Sequence, residues 1–137
     1  MSFQHQIRVR YGECDQQGVV FNAHYLAFMD DAAEVWLASL VSDNGGQPID
    51  WEWMLVRAVM EWQSPARSGD VLDIEVGVLR FGRTSFDLGF IGTIEGHPVF
   101  RARSVCVTVD KSTLTKRIIP DHIRRRLGET VDWDAPA

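Results

Sequence analysis

The segment from Tyr11 to Tyr25 holds the residues whose types and spacing are best suited to chemistry. It places a carboxylate at Asp15, a flexible point at Gly18, and then a short apolar run before a helix expected to begin at Asn22. A carboxylate can attack a carbonyl carbon or activate water, and free N–H groups at a helix N-terminus can stabilise charge developing on the oxygen. The segment therefore predicts a site for reaction at an acyl carbonyl.

Each residue of this segment also has a simpler interpretation. Asp15 can serve as nucleophile or as general base on a water molecule, but Asp is also a common turn cap. The backbone N–H groups around Asn22 and Ala23 are expected to point at the substrate oxygen, whereas the Asn22 side chain can equally be the helix N-cap. His24 is a general base by type, yet a histidine at a helix start needs no catalytic reason.

The composition limits the possible classes of function. A chain of 137 residues fits one domain, taken here as 1–137, with enough length to bury a core. The net charge of −5 gives no general nucleic-acid footprint. Apolar runs are too short to span a membrane and no signal-peptide core is visible, which favours a cytoplasmic protein. Cys14 and Cys106 form no metal-binding pattern, so no metal is expected.

Hydrophobic periodicity predicts an α+β domain. Residues Ala23 to Val41 show a helical pattern with a broad apolar face, ended by Asn44-Gly45-Gly46, and Pro120 opens a short basic helix through Leu127. Runs with strand character form the rest: His5–Tyr11, Met54–Trp62, Val71–Leu79, Ser85–Ile94 and Val99–Val109. Adjacent strands with one long helix favour an antiparallel sheet packed on that helix. The broad apolar face suggests either strong sheet curvature or a partner subunit.

Three separated motifs occur in order along the chain. The first is carried by Tyr11, Asp15, Gly18, Val20, Phe21 and Tyr25; the second is Pro65-Ala66-Arg67-x-Gly69-Asp70; the third is Gly82-Arg83-Thr84-Ser85. Together they resemble the 4-hydroxybenzoyl-CoA thioesterase and YbgC-like acyl-CoA thioesterases of the hotdog fold. The resemblance implies a curved antiparallel sheet of about five strands wrapped around one long central helix.

The resemblance also implies roles for individual residues. Asp15 takes the place of the family's catalytic aspartate, and Arg83, Thr84 and Ser85 take the place of its CoA-binding turn. The residues expected to bind the substrate or its oxyanion are Gly18, Val20, Phe21, Asn22, Ala23 and Tyr25. No separate cofactor is expected, because CoA is part of the substrate. The family resemblance further implies a homodimer with sites at the subunit boundary, and dimers that pair again into tetramers.

Two other functions are compatible with parts of the sequence. A non-catalytic acyl-CoA or acyl-carrier-protein binding module would use the same pocket and cations. An enoyl-CoA hydratase of the same fold is disfavoured, because Asp15 and His24 are nine residues apart and no Asn-Pro lies between them. The chain also departs from the thioesterase pattern at Asn22 and His24, which occupy exchanged positions. Further cations near the C-terminus, the Arg124–Arg126 run among them, are more simply explained as an exposed helix face.

Overall fold

The computed structural model describes residues 2–42 and 50–137. Its elements follow the predicted order and are, along the chain, β1 (Ser2–Arg8), a 3₁₀ turn (Tyr11–Glu13), α1 (Asn22–Ser42), β2 (Glu52–Trp62), β3 (Val71–Phe81), β4 (Ser85–Ile94), β5 (His97–Val109) and α2 (Asp121–Leu127). The predicted helix stop at residues 44–46 lies outside the described residues.

The five strands form one antiparallel sheet in the order β1-β3-β4-β5-β2. Short turns join β3 to β4 and β4 to β5, as the Gly-rich sequence between them predicts. The alternation read in β3 separates a buried row, Leu72, Ile74, Val76 and Val78, from a row on the opposite face. The predicted α+β class, with one sheet and one long helix, is confirmed.

The first strand was placed too late by the sequence pattern. It covers Ser2–Arg8 rather than His5–Tyr11, and Tyr11 begins the 3₁₀ turn. The ladder ends at Val9: its N–H still donates to the in-register Asp70 O at 2.8 Å, but its carbonyl accepts from the Gly69 N–H at 2.9 Å, because the Asp70 N–H donates to Arg67 O at 3.1 Å instead. Tertiary hydrogen bonds to the turn before β3 thus override the local alternation that continued to Tyr11.

The long helix buries one face against the sheet. Tyr25, Met29, Ala32, Trp36 and Leu37 lie in the core at helical spacing. The remaining sides of the helix are exposed and mix apolar with acidic side chains, namely Leu26, Ala27, Asp30, Asp31, Glu34 and Val35. A helix covered on most sides was expected; within one chain this is not met, because a single sheet shields only the side it touches.

The outer face of the sheet is covered by the segment that follows α2, here called the tail (residues 129–137). The Val131 N–H donates to Val78 O at 2.8 Å, so the tail begins over β3. It ends over β5 and β2, where Arg103 donates to Pro136 O at 2.6 Å and Arg57 donates to Ala137 O at 2.9 Å. The tail therefore crosses the sheet on the face opposite to α1.

Candidate active site

Asp15 lies in a small hairpin formed by residues 13–21, here called the Asp15 hairpin. The Asp15 N–H donates to Val19 O at 2.9 Å, and the Phe21 N–H donates to Glu13 O at 3.0 Å. The turn closes with a Gly18 N–H bond to Asp15 O at 3.0 Å. Gly18 has a φ of 77°, a conformation that favours glycine, so this position has a backbone reason for its residue type.

The Asp15 side chain is a turn cap with one oxygen to spare. Its Oδ1 accepts the Gln17 N–H at 2.8 Å, which is the local capping geometry common for Asp. Its Oδ2 accepts no hydrogen bond from the residues the structure describes, and the side chain is only partly buried. The turn role and a chemical role are thus compatible, because the first fixes the carboxylate while the second oxygen stays available.

The helix start supplies free donors. The first turn of α1 is closed by the His24 N–H, which donates to Phe21 O at 2.9 Å. The N–H groups of Asn22 and Ala23 have no acceptor in the described part of the chain, and both residues are exposed. The first N–H groups of a helix lack intrahelical partners and carry the positive end of its dipole. These two donors are suited to an anion or a developing oxyanion.

Glu13 supports this loop and was not singled out by sequence reasoning. It is buried, its Oε1 accepts the Arg10 N–H at 2.8 Å, and its Oε2 accepts from the Arg10 guanidinium at 3.0 Å. Burial pushes the pKa of Glu13 up, but the hydrogen bonds from Arg10, aided by charge at Arg10 and His24, bring the pKa below its ordinary value. The only sequence signal was a charged residue three positions after Arg10 in a capping arrangement.

The second motif holds the hairpin from the other side. The Val20 N–H donates to Ala66 O at 2.9 Å, and the buried Tyr25 hydroxyl accepts the Ala66 N–H at 3.3 Å. Asp70 Oδ2 accepts the Arg67 N–H at 2.8 Å and closes this turn. Burial raises the pKa of Tyr25, so its hydroxyl is neutral. The structure therefore brings the first and second motifs together, with Val20 and Tyr25 serving as core residues.

The third motif lies at the opposite end of the sheet. The Asp15 hairpin contacts the turn before β3, whereas Gly82–Ser85 joins the end of β3 to β4. β3 has 11 residues, so roughly 33 Å separates these two ends at 3.3 Å per residue. Arg83, Thr84 and Ser85 therefore do not share a site with Asp15 within one chain.

Two cavities flank the helix start. A smaller one of about 310 Å³ includes Val20, Asn22 and Tyr25. A larger one of about 520 Å³ lies between the exposed face of α1 and the inner face of the sheet, and its lining includes Ala23, Leu26, Asp30, Glu34, Trp53, Leu55, Phe90 and Cys106. Burial, Asp30 and other nearby carboxylates raise the pKa of Glu34. Burial also raises the pKa of the Cys106 thiol to about 11, so it is protonated and not a nucleophile.

The structure gives two further facts that bear on the class of site. Across residues 2–42 and 50–137, no group of His, Cys, Asp and Glu side chains is arranged to hold a metal ion. None of the helices in these ranges combines the length and apolar character needed to cross a membrane. The candidate site thus consists of a carboxylate, helix N–H donors and adjoining cavities.

Known proteins with similar sequences and folds include enzymes that act on CoA thioesters, which agrees with a site made of a carboxylate and helix N–H donors. A 1,4-dihydroxy-2-naphthoyl-CoA hydrolase from Synechococcus elongatus is 27% identical over 137 residues, spanning 95% of this chain and 98% of that protein. A solved 1,4-dihydroxy-2-naphthoyl-CoA thioesterase from Synechocystis superposes with a TM-score of 0.78 at 22% identity, covering 99% of this chain and 100% of that one. A structure from Bacillus stearothermophilus, described as a predicted thioesterase, gives a TM-score of 0.84 at 23% identity, covering 100% of both chains.

The family itself is shown by a match that spans most of the sequence. Residues 9–127 match the model of the thioesterase-like superfamily, and this range includes all three motifs. The resemblance read from those motifs is thereby confirmed, and the fold agrees with it. The chain belongs to the thioesterase-like superfamily of hotdog proteins and is a thioester hydrolase.

Proposed function

We propose that the protein hydrolyses an acyl-CoA thioester to a free acid and CoA, using Asp15 and the start of α1. The observation that carries this proposal is the pairing of an available Asp15 Oδ2 with the free N–H groups of Asn22 and Ala23. The carboxylate either attacks the carbonyl carbon to form an anhydride, which water then hydrolyses to the free acid, or removes a proton from a water that attacks the carbonyl carbon. The N–H groups stabilise the oxyanion as the carbon becomes tetrahedral, and the CoA thiolate leaves.

The active unit is proposed to be a dimer formed at the β2 edge. β1 and β2 are the two edges of the sheet. β1 presents polar residues outward, whereas β2 exposes Met54, Leu55 and Val56. Antiparallel pairing of two β2 strands by a two-fold axis reverses one sheet relative to the other. It therefore brings the Gly82–Ser85 end of one copy to the same end of the joined sheet as the Asp15 hairpin of the other.

The acyl group is proposed to be a hydroxylated aromatic. The larger cavity, at about 520 Å³, has the size of a typical small-molecule site and mixes aromatic and aliphatic walls with two carboxyl groups. Asp30 and Glu34 lie one helical turn apart, and burial together with nearby carboxylates raises the pKa of Glu34. Such a pair can accept and donate hydrogen bonds to a ring hydroxyl. The activity named for the Synechococcus relative, on a dihydroxynaphthoyl ester, has the same chemistry.

The test of the reaction is Asp15→Asn. Asn retains the oxygen that accepts the Gln17 N–H, so the turn is kept while the carboxylate chemistry is lost. We expect kcat on an acyl-CoA panel, followed by free-thiol release, to fall at least about 100-fold, as for loss of a general base or nucleophile. Asp110→Asn is the matched control, because Asp110 Oδ1 caps the Ser112 N–H at 2.9 Å in a similar turn.

The outcomes separate the alternatives. If Asp15→Asn hydrolyses as fast as the wild type while both fold normally, the role given to Asp15 is wrong. If the wild type binds CoA esters without turnover, the protein is the binding module considered above. Hydration of crotonyl-CoA without thiol release would indicate the hydratase.

The test of the acyl preference is Asp30→Asn. We expect the ratio of kcat/KM for 4-hydroxybenzoyl-CoA over benzoyl-CoA to fall at least about tenfold, since the hydroxyl loses its charged acceptor. Asp31→Asn is the control, because the Asp31 carboxylate faces β1, where it bonds His5 Nε2 at 2.8 Å. An unchanged ratio in Asp30→Asn would remove this carboxylate from acyl recognition.

A further inference from the structure

The backbone of the Gly82–Ser85 turn is held on several sides. The Gly82 N–H donates to Ser85 O at 2.7 Å, the Thr108 N–H donates to Thr84 O at 2.7 Å, and the Ile119 N–H donates to Arg83 O at 2.9 Å. A Cβ at Gly82 would lie 2.7 Å from Ser85 Oγ, so the turn is also tightly closed. The Arg83 side chain, by contrast, is exposed and makes no hydrogen bond or ion pair with other described residues.

Arg124 joins this turn to the second helix. Its Nη2 donates to Gly82 O at 2.8 Å, and its guanidinium carbon lies 4.8 Å from the centre of the Phe81 ring. α2 is itself fixed, because Ile123 and Leu127 are buried in the core. Arg124 therefore holds the Gly82 carbonyl, one residue before Arg83, in a fixed position relative to the buried helix.

We infer that Arg124 is a positioning residue for CoA binding, acting through the Gly82 carbonyl on Arg83. This inference rests on the proposed function, in which Arg83 meets a phosphate of CoA. A cation held on a fixed turn loses less conformational freedom when it binds a phosphate than one on a mobile turn. The charge of Arg124 is already engaged by a carbonyl oxygen and an aromatic face, so its part is to hold the turn and not to touch the phosphate.

The experiment compares a CoA ester with its pantetheine counterpart in Arg124→Met. Methionine keeps apolar cover on Phe81 but cannot donate to Gly82 O. We expect KM for benzoyl-CoA to rise about two- to tenfold, the range of one net hydrogen bond, with kcat unchanged. KM for benzoyl-pantetheine, which has no nucleotide phosphates, is expected to stay at the wild-type value. Arg124→Lys, which can still donate to the carbonyl, is expected to recover part of the loss.

Two controls separate positioning from charge and from folding. Arg125→Met removes a positive charge from the same helix at an exposed site, and we expect no change in either KM. In an Arg83→Ala background, Arg124→Met is expected to add nothing. An equal KM rise for both esters, a fall in kcat for both, or an unchanged KM for the CoA ester would each overturn the inference.

The same variants also distinguish failure of the inference from failure of the proposed function. If the wild type hydrolyses neither ester, the proposed function fails. Calorimetry of free CoA and of pantetheine binding then decides the inference. If Arg124→Met binds CoA more weakly than the wild type but binds pantetheine equally well, the inference is supported. If the two proteins bind CoA equally well, it is contradicted.

Discussion

Glu13 is a buried carboxylate that holds the Asp15 hairpin through its side chain and its backbone. Both of its oxygens accept from Arg10, while its own backbone carbonyl accepts from Phe21 at the end of the Asp15 hairpin. A buried carboxylate is tolerated when it is paired and hydrogen-bonded in this way. The geometry of the Asp15 hairpin therefore depends on the ionised form of Glu13.

This dependence gives a prediction about pH. An acid whose pKa is lowered in the folded state stabilises the fold above its unfolded pKa, about 4.3, and loses that stabilisation as pH falls through the folded value. We expect Glu13→Gln to be less stable than the wild type by about 1 kcal/mol at pH 7. The difference should be constant down to about pH 5 and shrink below about pH 4.

Urea denaturation of both proteins between pH 7 and pH 3 measures this difference. Glu129→Gln, at an exposed position in the tail, is the control variant. A Glu13→Gln deficit that is the same at every pH would show that packing, and not the charge of Glu13, accounts for it.

At the scale of single residues, the sequence predicted those residues whose role depends on their neighbours in the chain. Asp15 and Gly18 could be placed because turn chemistry depends on a few neighbouring residues. Glu13 could not, because its role appears only when Arg10 folds back on it. The role of Arg124 depends on a helix meeting a turn 42 positions away in sequence. The assignment of Asp15 to catalysis, and of Arg83 to CoA, stays a prediction.

The strands could be predicted because their side chains alternate between buried and exposed positions. The errors in the prediction, at β1 and in the tail, have particular causes. β1 ends before Tyr11 because the Val9 carbonyl accepts from the Gly69 N–H instead of from the in-register Asp70 N–H. The tail was not anticipated, since it has no periodicity. Its signal was indirect: Gly77 and Gly89 stand inside strands, where glycine often marks a close approach of other groups. A Cβ at Gly77 would lie 3.1 Å from Val131 and 3.2 Å from Trp133.

Gly89 provides the test of this packing. A Cβ there would lie 2.8 Å from Leu79 Cδ2 and 3.1 Å from the Trp133 ring, so alanine forces both side chains to move. We expect Gly89→Ala to lower the free energy of unfolding by about 1–3 kcal/mol, the cost of overpacking. We also expect limited proteolysis to cut the tail faster.

Gly12→Ala is the matched control for this substitution. An added Cβ at Gly12 meets nothing within 4 Å, so the variant reports the general effect of alanine. Equal stability of the two variants, measured by chemical denaturation, would show that the tail does not need the space over Gly89.

At the scale of the whole chain, the two halves of the proposed site lie apart. The Asp15 hairpin lies at one end of the sheet and the Arg83 turn at the other, while the acidic and apolar face of α1 and the β2 edge are left uncovered. The tail covers the opposite face of the sheet, so a tetramer, which stays a prediction, must use other surfaces or displace the tail. The proposed dimer through β2 would join these two halves.

Val56 is the residue that tests this assembly. It lies at the irregularity in β2 between Leu55 and Arg57 and is 57% exposed. In a two-fold pairing of β2 strands, Val56→Asp places two like charges near each other in an apolar contact. We expect sedimentation velocity to show a dimer for the wild type and a monomer for Val56→Asp. Thiol release from acyl-CoA should fall with the dimer, because each site then lacks the Arg83 turn.

Ile118→Asp is the control, since Ile118 is equally exposed at 57% but lies between β5 and α2 and not in the β2 strand. It is expected to remain dimeric and active. A wild type that sediments as a monomer yet hydrolyses acyl-CoA at full rate would contradict the shared site, because roughly 33 Å of sheet separates Asp15 from Arg83 within one chain. Activity retained by a monomeric Val56→Asp would lead to the same conclusion and would require the CoA cations to come from nearer the Asp15 hairpin, where Arg8 and Arg10 are exposed.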